Sequence, residues 1–262
     1  MFRSWPAAPT AVLLVLTGCG ITPTGPSGAL VLPPPGAGFD YQLGGDYPLP
    51  EGAEVVVRHW DAEPAEGTYS ICYVNAFQTE ADGPDGPDSW PDGTVWAETD
   101  DPDWPGEYPI DLSTNEKRRA AAEFVAARFD TCATAGFAAV ELDNLDTFTR
   151  YDDAPFDRDD AIAYATLLVE AATERGLAVG QKNTVELLDV ATEIGFTFAI
   201  VENCGEYGEC RDYPDVYGKR VYAIEYTPEG FAAACDAVDY AVILRDLNLT
   251  TPSHPDYQRE TC

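Results

Sequence analysis

From Asn115 onward the chain repeats one phrase: a polar start, an amphipathic run of helical period, a glycine, a short apolar run and a cluster of polar residues. In the first copy Ala121, Val125, Phe129 and Cys132 fall on one face, which predicts a helix over Asn115 to Ala135. Gly136 stops it, and Phe137 to Leu142 reads as a buried strand. Asp157 is placed to cap a second helix with Ala161, Ala165, Leu168 and Ala172 on one face, ended by Gly176 before an extended Leu177 to Gly180. Thr184 to Ile194 is read as a third helix, stopped by Gly195 and followed by a strand at Phe196 to Val201. A turn through Gly218 leads to Arg220 to Ile224, and a last helix after Pro228 feeds Tyr240 to Leu244. Continuous apolar strands that alternate with helices argue for a parallel sheet covered by helices.

Upstream, Phe39 to Leu43, Tyr69 to Val74 and Tyr108 to Leu112 supply three more strands, bringing the total to eight, the number that closes a barrel. Glu54 to Trp60 is a ninth strand-like piece, read as a decoration ahead of the second barrel strand. The expected fold class is α/β: a single (β/α)8 TIM-type barrel with an extra strand-like segment near the N-terminus. An open doubly wound sheet is the alternative. The length of 262 residues suits one such domain. Between Gln78 and Pro105 lies an acidic, Pro- and Gly-rich stretch whose aspartates match no EF-hand spacing. It is expected to be a solvated loop over the mouth.

Residues 1–18 read as a lipoprotein signal peptide, with Arg3, the apolar run Ala11 to Leu16, and then Leu16-Thr17-Gly18-Cys19. That tetrapeptide is a lipobox, which makes Cys19 the expected lipidation site. The apolar run is too short to span a bilayer. Residues 19–38, uncharged and rich in Pro and Gly, read as a tether, leaving 39–262 for the barrel. The expected location is extracytoplasmic, lipid-anchored to the bacterial cell envelope, with the membrane reached only through the anchor. Of seven cysteines, six remain after Cys19, an even number in an oxidising compartment. Cys204 and Cys210 are close enough to staple one loop, Cys235 is expected to reach Cys262 and pin the tail, and Cys72 with Cys132 is the pair left over. Zinc is the competing use of cysteine, but there is no Cys-x-x-Cys spacing, and His59 and His254 are the only histidines.

Forty-six Asp and Glu against fifteen Lys and Arg give a net charge of −31, while 45% apolar residues suffice for a large core. Such a field repels nucleic acid and anionic membranes and attracts cationic ligands. In a barrel the active site forms where strands end and helices begin. Those positions here carry Tyr41, Gln42, Tyr73, Asn75, Asp111, Glu141, Asp143, Asn144, Asp146, Gln181, Lys182, Asn183, Glu202, Asn203, Glu225, Tyr226, Arg245, Asp246 and Asn248. A ring of carboxylates, amides and tyrosines suits a sugar cleft. No nucleophile elbow, His-Glu-x-x-His or phosphate-cradling glycine loop competes with it, so no cofactor or metal is expected. Paired carboxylates remain, as glycoside hydrolysis requires, but the residue types alone do not choose the pair. A ring of solvated rim acids in a non-catalytic barrel is the bland alternative.

At these residues the sequence resembles glycoside hydrolase family 114, the endo-α-1,4-polygalactosaminidases. The resemblance runs from Asp40-Tyr41-Gln42-Leu43 through Ile71-Cys72-Tyr73, Trp104-Pro105-Gly106-Glu107, Val140-Glu141-Leu142-Asp143-Asn144, Lys182-Asn183, Glu202 with Cys204, Glu206-Tyr207 and Cys210, to Leu244-Arg245-Asp246-Leu247. It implies a barrel that cuts galactosamine-rich exopolysaccharide, with Asp143 as nucleophile and Glu202 as acid/base. Their strands are next-but-one neighbours, whose ends suit the separation of about 5–5.5 Å of a retaining mechanism. It further implies that Asn144, Lys182 and Asn183 orient groups or bind sugar beside Tyr41 and Tyr73, and that Asp111, Glu225 and Asp246 recognise the substrate's amines. The expected partner is a cationic amino-sugar polysaccharide, met by a monomer. Two departures from the family pattern, Val74-Asn75-Ala76-Phe77 and Val201 before Glu202, bear on substrate preference. The rival functions are a non-catalytic polysaccharide-binding lipoprotein and an α-glycosidase acting on another amino-sugar polymer.

Overall fold

The structure, a computed structural model, describes residue 1 and residues 29–262; the expected signal segment and Cys19 lie outside the described residues. Eight parallel strands succeed one another around the sheet in chain order: β1 (Gly38–Gln42), β2 (Ala53–His59), β3 (Tyr69–Asn75), β4 (Ala139–Asp143), β5 (Ala178–Lys182), β6 (Phe198–Glu202), β7 (Val221–Glu225) and β8 (Ala241–Arg245). A short β9 (Arg259–Thr261) pairs antiparallel with β8. The helices are α1 (Asn115–Ala135), α2 (Thr147–Arg150), α3 (Arg158–Glu174), α4 (Ala191–Ile194), α5 (Cys204–Tyr207), α6 (Pro214–Tyr217) and α7 (Pro228–Ala237). This is the expected TIM-type α/β barrel.

Two strand assignments change places. Ala53–His59 is no decoration; it is the second barrel strand, pairing Val57 with Tyr41 on one side and with Ile71 on the other. Tyr108 to Leu112 stays outside the sheet and makes only isolated bridges, Gln78 to Pro109 and Val95 to Ile110. The physical reason is Pro109, which offers no N–H to a ladder. The Val55-Val56-Val57 run instead supplies β-branched residues buried on both faces.

The helices follow their sequence cues where the apolar stripe is long. Thr114 caps α1 through its side chain, Gly136 ends it at φ 102°, and Ala121, Val125, Phe129 and Cys132 are buried. Asp157 and Asp160 form a capping box on α3. The helix expected over Thr184 to Ile194 is broken into one tight turn, Val185–Leu187, and the single turn α4. Asn183 and Thr184, both left-handed, divert the chain before helix can start there.

The loop from Gln78 to Pro105 is not simply solvated. Asp85 is buried, accepting from the Trp60 indole at 2.6 Å and from Arg128, while Asp101 is buried against Arg150 at 2.9 Å.

All three expected disulfides form: Cys72–Cys132 ties β3 to α1, Cys204–Cys210 closes the loop after β6, and Cys235–Cys262 ties α7 to the tail. They are the bonds of a protein folded in an oxidising compartment. Among the described residues, no helix is long and apolar enough to cross a membrane.

The seam between β8 and β1 carries no ladder among the described residues. Arginines bridge it: Arg245 donates to the Tyr41 carbonyl, and Arg259, on β9, donates to the Phe39 carbonyl at 3.0 Å and to Asp40 at 2.8 Å. Guanidinium groups thus satisfy carbonyls that an edge would leave bare. At the opposite end, residues 31–37, placed by composition in the tether, lie against the lower mouth. The carbonyls of Val31, Pro33 and Pro34 accept from Tyr69, Arg220 and Tyr222, and Leu32 and Ala37 pack against the barrel interior.

Candidate active site

Side chains alternate along each strand, so every second residue enters the barrel. The lower interior is apolar, built from Phe39, Val55, Val57, Ile71, Ala139, Ala178, Phe198, Ile200, Tyr222, Ile224 and Ile243. Gly180 is needed there, because a Cβ at that position would sit 2.4 Å from the Phe198 ring. One step further along the same faces the chemistry changes. Tyr41, Tyr73, Glu141, Asp143, Lys182, Glu202 and Tyr226 come together at the C-terminal mouth.

Lys182 is the hub. Its Nζ, on a side chain only 3% exposed, lies 3.0 Å from Asp143, 3.2 Å from Glu202 and 3.2 Å from Glu141. Burial alone would drive its pKa down, but Asp143, Glu202 and Glu141 together raise it well above the ordinary lysine value. The ammonium is therefore a fixed charge. Asp143 also accepts from the Tyr73 hydroxyl at 2.5 Å and from the Asn144 N–H at 2.7 Å. Burial pushes this carboxyl up, yet Lys182 and these hydrogen bonds outweigh it and hold Asp143 below the usual aspartate range. Glu202 accepts from the Tyr226 hydroxyl, and its own N–H donates to Asn183 Oδ1 at 2.7 Å. Burial keeps the Tyr41, Tyr73 and Tyr226 hydroxyls protonated far beyond neutral pH, so they are permanent donors. An ionised carboxylate and a second carboxyl group that share one cation can divide the work of nucleophile and acid.

The chain matches Glycoside-hydrolase family GH114 over residues 22–262. It belongs to that family. The structure superposes on Ega3 of Aspergillus fumigatus, solved in complex with galactosamine, with a TM-score of 0.76 at 23% identity, covering 90% of this chain and 99% of that one. It also superposes on the glycoside hydrolase domain of PelA from Pseudomonas aeruginosa, with a TM-score of 0.62 at 18% identity, covering 86% of this chain and 100% of that domain. No curated protein sequence matches the chain. The protein is thus a GH114 glycoside hydrolase.

Of the residues singled out in the sequence, this GH114 mouth gathers Tyr41, Tyr73, Asp143, Lys182 and Glu202 around one ammonium. Asn144 and Asn183 lie beside them in a backbone role. With Asn203, they directly follow Asp143, Lys182 and Glu202 and adopt φ of 61°, 46° and 56°, the left-handed turn asparagine tolerates. Each turns the chain away right after a residue of the Lys182 cluster. Asn144 also donates to Asn75 and accepts from Arg150, which ties the β3–α1 loop to the mouth through Gln78 and Asp101.

Three expected amine-recognising acids stand apart from the Lys182 cluster. Asp111, no longer at a strand end, binds Lys117 at 2.5 Å and Ser113 at the start of α1. Glu225 has the wrong parity: Tyr222, Ile224 and Tyr226 face inward, so Glu225 points outward and accepts from the Gly205 N–H at 2.7 Å. Asp246 holds the turn after β8, accepting from the N–H groups of Thr250 and Gln258.

Two further polar groups near the strand ends have no expected role: His59, which bridges Asp61 and Glu80 at 2.7 Å each, and Glu107, which accepts from Gln78 at 3.0 Å. Burial pushes Glu107 up to about 7. His59 was findable, as the inward residue that continues Val55 and Val57; Glu107 is brought in by loop packing that no period reports. Among the described residues, the single cluster with metal-ligand spacing is Cys204, Cys210 and Glu225, and its two sulfurs are bonded to each other.

Proposed function

We propose that the protein is an endo-acting hydrolase of α-1,4-linked, galactosamine-rich exopolysaccharide that works by retaining double displacement. Asp143 is the nucleophile and Glu202 the acid/base. The observation that carries this reading is the shared ammonium: carboxylate oxygens 3.0 Å and 3.2 Å from one nitrogen lie within roughly 6 Å of each other, on the short side of the division between retaining and inverting sites. Asp143, kept ionised by Lys182 and Tyr73, attacks the anomeric carbon while Glu202 protonates the leaving oxygen. Glu202 then takes a proton from the water that releases the sugar.

The net charge of −31 favours a polycation, and the galactosamine bound to Ega3 supports an amino sugar as the unit recognised. Endo action is supported by two exposed aromatic side chains on segments that follow barrel strands, Trp104 in the loop between β3 and α1 and Tyr207 at the end of α5, just after β6. Such rings stack on pyranose faces beyond the scissile bond. With the lipobox at Cys19, the enzyme would act from the envelope surface.

Incubation of the purified protein with partly deacetylated α-1,4-galactosamine polymer is expected to release a ladder of oligosaccharides, sized by mass spectrometry. Binding without release would favour the non-catalytic lipoprotein instead.

A further inference from the structure

Glu141 has no part in the two-carboxylate scheme, yet it lies under its centre. It is two residues before Asp143 on the same inward face of β4, and its side chain is 0% exposed. One oxygen accepts from the Tyr41 hydroxyl at 2.8 Å and faces Lys182 at 3.2 Å; the other is buried with no partner. An ionised carboxylate with a bare oxygen in a dry interior is costly, and a protonated one much less so. Burial accordingly lifts this carboxyl to about 7, with Asp143 and Glu202 adding to the rise and Lys182 and Tyr41 opposing it.

We infer that Glu141 is a positioning residue that holds Lys182 between Asp143 and Glu202 and keeps its own proton through turnover, so that one cation serves whichever catalytic carboxylate is charged. The inference rests on the double displacement proposed above. In the first step an Asp143 oxygen bonds the anomeric carbon, the bond to the leaving oxygen breaks, and that oxygen takes the Glu202 proton. In the second, Glu202 takes a proton from water, the water oxygen bonds the carbon, and the ester bond returns its electrons to Asp143. The negative charge therefore crosses from one side of Lys182 to the other and back. A neutral Glu141 leaves the ammonium free to follow it. An ionised Glu141 competes for the ammonium, and the charge arriving on Glu202 then meets a second anion. The groups facing Glu141 from the surrounding elements are Tyr41 of β1, Tyr73 of β3, Asp143 of its own strand, Lys182 of β5 and Glu202 of β6, with Tyr226 reaching it through Glu202. Arg245 of β8 turns away to the seam.

The test is the pH profile of kcat/KM on partly deacetylated α-1,4-galactosamine polymer. The polymer's own amines titrate alike for every variant, so differences between profiles report the enzyme. Wild type is expected to lose activity above about pH 7, roughly tenfold per pH unit. Glu141→Gln, permanently neutral and of the same shape, is expected to move that limb upward by a pH unit or more. Glu141→Ala, which removes the anchor, is expected to lower kcat at least tenfold with KM within about twofold. Superimposable profiles for wild type and Glu141→Gln overturn the inference and leave the Asp143–Glu202 reading standing; wild-type rates in Asp143→Asn overturn that reading itself. Should Glu141→Gln not fold, Tyr41→Phe decides. Loss of the hydroxyl raises the Glu141 pKa and moves the limb upward, and an unmoved limb overturns the inference.

Discussion

Asp143, Glu202 and Glu225 end β4, β6 and β7, and Asp246 directly follows β8; these four carboxylates of one barrel have opposite surroundings. The first two enter the barrel and share a buried ammonium. The second two leave it: Glu225 accepts from the backbone beneath α5, and Asp246 ties the turn that brings β9 to the seam. Proximity to a strand end alone does not bring an acid to the Lys182 ammonium; the parity of its position does.

The largest expected effect breaks this comparison directly. Asp143→Asn and Glu202→Gln should each lower kcat on the galactosamine polymer by a thousandfold or more, the scale at which nucleophile and acid/base groups are lost. Glu225→Gln and Asp246→Asn should stay within about threefold. Equal losses in all four, in a reducing-end assay, would end the distinction.

The outer pair and its neighbours should instead register in stability. Cys262→Ser frees the tail that carries β9 and the Arg259 bridge, opening a link of sequence separation 27, and should cost about 2–4 kcal/mol in denaturant unfolding. A smaller effect follows from the inner layer. Glu141 holds its proton more tightly folded than unfolded between pH 4.5 and about 7, so stability should fall as pH rises across that window. Thermal melts should show the fall in wild type and a flatter dependence in Glu141→Gln. Smallest of all, Trp104→Ala should raise KM several-fold on long polymer and leave it unchanged on a disaccharide substrate.

Much of this contrast is legible in the sequence once period two is applied. Tyr41, Tyr73, Asp143, Lys182 and Glu202 continue inward faces begun by Phe39, Ile71, Ala139, Ala178 and Phe198. The same count puts Glu225 outside, between Ile224 and Tyr226. The dipeptides Asp143-Asn144, Lys182-Asn183 and Glu202-Asn203 mark where the chain turns left-handed behind each residue of the Lys182 cluster. The Cys204–Cys210 bond and the two long helices follow from spacing and apolar stripes, whereas Cys72–Cys132 is reached only as the pair left over. The exchange of Ala53–His59 with Tyr108 to Leu112 does not follow, because both are short and apolar; the proline in the second decides it. Nor does the seam, where Arg245 and Arg259 satisfy carbonyls of β1 more than 200 residues away in sequence. Local pattern carries no trace of that contact.

The central claim is that Asp143 attacks the anomeric carbon from within a pair closed by Lys182. Proton NMR of the first product formed by wild-type enzyme on the α-1,4-galactosamine polymer tests it most directly. The new reducing end should appear first as the α anomer and mutarotate afterwards; the β anomer appearing first would contradict the account.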